Sequence, residues 1–280
     1  MRLPTSSVPS GFRHALAAFL VWSAALGAVV SAARIGPEMI GGWSAYVSAT
    51  EDRVRRELES PRGFLVMDFL EPGEAAAGRR QVLEDGVVLM RKMQSSDSQG
   101  RRLTVPGALV HHWRGAVFIP GVTVRQLLVE LQSHVPEQED VLRASILERG
   151  PDRMRVYMRL QRHKIVTATY NTEHLVTFTR FGATRAASVS TATRIAEVSD
   201  PDTPEEHELV LGEDRGFLWR LNSYWRYEEV AGGVIAECES ISLSRDVPSF
   251  LRYVVSPLVE GTAKESMERT LVTLRARWRA

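Results

Sequence analysis

The chain has 280 residues, 44% of them hydrophobic and 25% charged, a globular composition large enough for one substantial core plus a small appendage. Its 35 basic and 34 acidic side chains leave a formal net charge of +1, with no basic surplus to drive binding to a phosphate backbone, so a nucleic-acid partner is excluded. A single cysteine, Cys238, rules out an intrachain disulfide.

In chain order, Arg2, Arg13 and His14 precede an apolar run over 15–33 that closes with Ser31-Ala32-Ala33. A positive start, an apolar middle and a small-residue end predict a secretory signal over 1–33 and hence a periplasmic or extracellular protein. The same run is long enough to serve instead as an inner-membrane anchor. Residues 34–104 are expected to form an N-terminal extension on the main unit. Trp43, Tyr46, Val47, Val54 and Leu58 fall near helical spacing within 37–60, and Ser60-Pro61-Arg62-Gly63 breaks that helix. Short strands are expected over 64–70 and 81–93, with a loop of small residues over 72–78 and a polar seam over 94–102.

The main unit, 105–280, begins with a strand over 108–119 that contains His111, His112 and Trp113. A helix over 122–134 follows, with Val124, Leu127, Leu128 and Leu131 on one face. Four strands are predicted over 141–149, 153–161, 164–180 and 184–198, and then an acidic loop. From Phe217 to Tyr227, alternation of Phe217, Trp219, Leu221, Trp225 and Tyr227 (Ser223 the one exception) with Arg220, Asn222, Arg226 and Glu228 marks a half-buried strand whose polar face is expected to be wet. Ala231-Gly232-Gly233 reverses it into a second strand, over 234–244, that carries small residues on one face, Val234, Ala236, Cys238, Ser240 and Ser242, with Ala186, Ser188, Ser190 and Ala192 a second such row. Beyond Pro257, Thr262 and Glu265 match a capping box, and Met267, Leu271, Leu274 and Trp278 form a stripe on a terminal helix. The apolar segment 249–260 suits either a lid or a transient contact with a membrane surface. Consecutive strands with short links favour an antiparallel sheet, because parallel neighbours need crossover helices and none is found.

Little catalytic chemistry is legible. Adjacent strand residues face opposite ways, so His111 and His112 cannot share a metal site, and no metal or other cofactor is expected. No nucleophile elbow, zinc-binding His-Glu-x-x-His helix or phosphate loop occurs, and no catalytic set can be assigned. Cys238 reads as a small buried hydrophobe. His174 shares a face with Tyr170 and Phe178 and is either a polar anchor for a ligand or a satisfied core histidine. Arg194, aligned with Ala192 and Ala196, either supplies a cation inside the fold or pairs with an acid on the surface.

The strings His111-His112-Trp113-Arg114-Gly115, Phe118-Ile119-Pro120-Gly121, 216–225 and 242–248, in this order of elements, resemble an exported bacterial branch of the START-like superfamily. That superfamily is also called SRPBCC, helix-grip or polyketide-cyclase/lipid-transport. The resemblance covers roughly 105–280 and implies an α+β helix-grip fold, a curved antiparallel sheet around a long C-terminal helix with an apolar cavity between them. It transfers no catalytic residues. On this reading the cavity wall comprises Tyr170, His174, Phe178, Arg194, Trp219, Trp225, Tyr227, Cys238, Met267 and Leu271. The expected function is binding or transport of a hydrophobic small molecule, a lipid or isoprenoid, outside the cytoplasm. A cyclase or hydrolase using the same cavity through His174 or Arg194, and an envelope interaction module docking through 37–93, are the alternatives.

Overall fold

The computed structural model describes residues 35–84, 87–135, 138–163, 167–246 and 252–278, excluding the side chains of 252–260. The signal-like segment and residues 249–251 therefore lie outside the described residues, and of 252–260 only the backbone is described. Helix α1 (Pro37–Leu58), a 3-10 turn (Val66–Phe69) and helix α2 (Pro72–Leu83) come first. Strands β1 (Leu89–Lys92) and β2 (Ala108–Pro120) and helix α3 (Val124–Ser133) follow. Next are β3 (Val141–Arg149), β4 (Arg153–His163), β5 (Thr167–Arg180), β6 (Arg185–Ser199), β7 (His207–Glu208), β8 (Arg220–Val230) and β9 (Gly233–Arg245), and helix α4 (Arg252–Ala276) ends the order. Among the described residues no helix is long and apolar enough to cross a membrane.

The strands form one antiparallel sheet in the order β1-β2-β9-β8-β6-β5-β4-β3, with β7 added to β6. Hairpins build most of it locally. The long-range closure is β2 on β9, in register from Ala108↔Arg245 to Pro120↔Gly233. Gly232, at φ +84°, turns β8 into β9, a conformation glycine adopts without a Cβ clash. Helix α4 rests on the concave face, and Gly115 marks the closest approach, because a Cβ there would run into Leu271 and Met90. This is the helix-grip arrangement expected from the sequence. At the β8–β9 turn end the grip is solid: Val117, Ile119, Leu127, Phe178, Tyr227 and Leu271 pack in one cluster.

The N-terminal extension covers the convex face, and there the structure departs from the sequence reading. Asn222, Arg226 and Glu228, expected to be wet, are all buried. The reason is the polar layer under α1. Arg226 donates to Glu57 at 2.6 Å and to the Phe64 carbonyl at 2.9 Å. Arg53 binds both Glu57 oxygens at 2.9 Å and also pairs with Glu239. His112 bridges Glu239 and the Tyr46 hydroxyl, while Glu237 accepts the backbone N–H groups of Val66 and Met67. Buried charges survive when each finds a partner, so strand alternation of apolar and polar residues here separates two buried faces. Around this layer Met39, Trp43 and Tyr46 pack on Tyr224, Ile241 and Leu243.

Three local expectations also change. Residues 72–83 are helical because Pro72 sits at the start, where its missing N–H is harmless, and Ala75-Ala76-Ala77 favours helix. Residues 66–69 form a 3-10 turn because the Asp68 carboxylate accepts the Phe64 and Leu65 N–H groups at 2.9 Å. Helix α4 begins at Arg252, so Pro257 and Thr262 lie inside it and the capping-box pattern marks no terminus.

Candidate functional site

Away from the β8–β9 turn the grip loosens. Between the concave face and residues 262–270 of α4 lies a cavity of about 460 Å³. Small residues on the sheet leave this space. Ser190 on β6 faces Ser223 on β8, Ser223 faces Ser240 on β9, and Ser240 faces Trp113 on β2, one row across four strands. Met158, Leu160, Leu221, Trp225 and Met267 supply apolar wall, and Phe217, 46% exposed, stands at the rim. The volume lies in the range that holds drug-sized molecules, and the mixture of greasy wall with few polar atoms is typical of such sites.

The polar groups are specific. His174 is 2% exposed, with Nε2 3.1 Å from the Thr172 hydroxyl and Nδ1 3.4 Å from the Ser190 hydroxyl. Burial pushes its pKa down to about 4, so it is neutral at physiological pH. His111 Nε2 lies 2.8 Å from the Ser244 hydroxyl on the cavity side, while His112 serves the convex layer. The two histidines face opposite ways, as the strand pleat requires. Tyr170 is 2% exposed and, among the described residues, its buried hydroxyl has no hydrogen-bond partner; burial raises its pKa. Burial likewise raises the Cys238 thiol, which leaves it unreactive. Among the described residues no group of three or more histidine, cysteine or acidic side chains is placed to hold a metal ion.

Of the ten residues expected on the wall, Tyr170, His174, Trp225, Cys238 and Met267 line the cavity. Phe178, Tyr227 and Leu271 sit in the solid half of the grip, on the same strand faces and helix stripe but past the point where the space closes. Trp219 is on the convex side, packed with Met39 and Trp43, and its indole N–H donates to Asp214 at 2.9 Å. Alternation does not carry it inward, because β8 pairing starts only at Arg220 and Leu218 takes the inner position. Arg194 points outward and pairs with Glu208. The cause is an extra residue in β6: His174 faces Ala192 and Glu173 faces Arg194, so Thr193 is a bulge that reverses the alternation.

Sequence reasoning missed Arg162, Gln138 and the α4 hydroxyls of Thr262, Ser266 and Thr270, all of which line the cavity. Arg162 was placed in a link, whereas β4 continues to His163. The hydroxyls repeat every four residues, a helical spacing that marks one face once the helix is known to begin at Arg252.

No protein-family model and no curated protein matches the chain. Among solved structures it is similar to a STAR-related lipid transfer protein from Xanthomonas axonopodis, at 18% identity and TM-score 0.45, covering 68% of this chain and 99% of that one. It is also similar to the lipid transfer and protein localization domain of human StarD13, at 10% identity and TM-score 0.39, covering 75% and 98%. A third likeness is to the Zhui aromatase/cyclase of a Streptomyces species, at 12% identity and TM-score 0.32, covering 61% and 94%. These likenesses concern overall shape, and function must be read from the cavity.

Proposed function

We propose that the protein binds and carries a hydrophobic small molecule, a lipid or isoprenoid, in the cavity between the sheet and α4. The observation that carries this reading is the cavity of about 460 Å³, walled by apolar side chains under a helix. Burying a guest there gains about 25 cal/mol per Å² of apolar surface before ordering costs. The signal-like pattern of 1–33 supports a site of action outside the cytoplasm.

Of its two candidates the enzymatic alternative keeps His174 inside the cavity, neutral and held between two hydroxyls, whereas Arg194 lies on the surface. The interaction-module alternative is less favoured, because α1 packs its apolar face on the protein's own sheet. The test is native mass spectrometry of the detergent-free protein with extraction of what co-purifies. A stoichiometric apolar guest, lost in a Ser223→Leu variant that fills the space, is the expected result. An empty wild-type protein that takes up no added lipid would overturn the proposal.

A further inference from the structure

At the edge of the cavity, Arg162 on β4 and Arg269 on α4 share a single carboxylate. Arg162 lies against Asp140 and donates to the Ser266 hydroxyl at 2.6 Å, while Arg269 reaches the same Asp140 oxygen at 3.3 Å. Asp140 is buried, the Arg162 side chain is a quarter exposed, and Arg162 lines the cavity. Among the described residues Asp140 is the only carboxylate within ion-pair distance of either guanidinium. Two fixed cations thus meet one anion in a half-buried place. Burial, and then the charge of Arg269, push Arg162 down to about 10, the direction expected where positive charge is under-compensated.

Unspent hydrogen-bonding groups converge on the same region. Among the described residues the Nε of Arg269 is buried with no hydrogen-bond partner, and so is the hydroxyl of Tyr170, which lines the cavity close enough to Arg162 to interact with its charge. Beside them the Thr270 hydroxyl donates to the Gln138 side chain at 2.8 Å. A planar guanidinium with an adjacent hydroxyl donor matches the geometry of an oxyanion. Inward from it the wall turns apolar, through Leu160, Leu218, Leu221, Trp225 and Met267.

We propose that the guest is a single-chain or compact amphiphile with an acidic head group, a carboxylate or phosphate monoester, received by Arg162 with Tyr170 donating beside it. This rests on the cavity reading above and specifies which end of the molecule stays at the edge. The cavity volume favours one chain or one ring system over a bulkier lipid.

The test measures binding of decanoate, decyl phosphate and decanol to the full-length protein by calorimetry at pH 7.5. At least one acid is expected to bind ten-fold or more tightly than the alcohol, and the stronger of the two acids identifies the head group. Arg162→Gln should erase that preference while leaving decanol binding within two-fold, and Arg162→Lys should keep most of it. Tyr170→Phe should weaken the preferred acid several-fold without affecting the alcohol. Thermal melts of each variant establish that it is folded, and the lysine variant keeps the charge if the glutamine variant does not fold. Equal binding of all three probes, unaltered in Arg162→Gln, overturns the acidic head group and leaves the cavity reading intact. Failure of all three to bind overturns both.

Discussion

Replacing Glu239 by Gln tests whether the buried ionic layer locks the N-terminal extension onto the sheet. Glu239 is 1% exposed and contacts His112 and Arg53. Burial alone would raise its pKa, but the His112 hydrogen bond and the Arg53 charge outweigh burial and hold it down to about 2. Against the ordinary value of 4.5, at about 1.4 kcal/mol per pH unit, that depression corresponds to about 3 kcal/mol of stability. Because the folded-state value is the lower one, this stabilisation is complete above pH 4.5 and is lost as pH falls from 4.5 toward 2. Glu237 behaves oppositely: burial raises it despite Arg114 and Arg226, so its effect is complete before pH 4.5 is reached from above. The two windows are therefore separate. Urea unfolding of wild type and Glu239→Gln should show a gap of about 3 kcal/mol at pH 5 to 7 that narrows to about 1 kcal/mol at pH 3. A gap that is constant between pH 5 and pH 3, or below about 0.5 kcal/mol at pH 7, would refute the reasoning.

Other consequences follow from the division of the interior. Leu271→Ala, in the solid half and fully buried, should cost about 2–5 kcal/mol in chemical unfolding, whereas Met267→Ala, beside an existing hollow, should cost clearly less. Gly115→Ala places a methyl group against Leu271 and Met90 and should lower stability by about 1–3 kcal/mol in the same assay. His174, buried neutral with a pKa of about 4 against the ordinary 6.5, contributes stability that is present above pH 6.5 and declines as pH falls toward 4. Between pH 7 and 4 the wild type should therefore lose about 3 kcal/mol more than His174→Gln, and equal losses would contradict the assignment.

Much of this architecture was legible because the dominant signals are local. Strand alternation at 153–161 and over 221–227 of the predicted 217–227, the glycines at 232 and 233, and the stripe Met267–Leu271–Leu274 each reflect one periodicity, which the folded chain obeys. What escaped depends on tertiary context. Nothing in Arg226 or Glu228 announces that Glu57 and Arg79 will come over to bury them, so a polar strand face read as wet. One inserted residue, Thr193, was enough to reverse Arg194, because alternation has no tolerance for a bulge. The small residues on β6 and β9 correctly suggested space. They did not locate it, since Val234 and Ala236 lie in the packed half while Cys238, Ser240 and Ser242 line the hollow. Arg162 was missed because strand ends are the least certain boundaries in a sequence reading.

The most direct measurement uses the two indoles of the cavity wall, Trp113 and Trp225. Titrating the protein with a brominated long-chain fatty acid should quench their fluorescence saturably at one guest per chain. The quenching should fall by about half in Trp225→Phe and disappear in Ser223→Leu. Quenching that never saturates, or that is identical in the Ser223→Leu protein, would mean that the apolar molecule only coats the surface and that the space beneath α4 does not take it in.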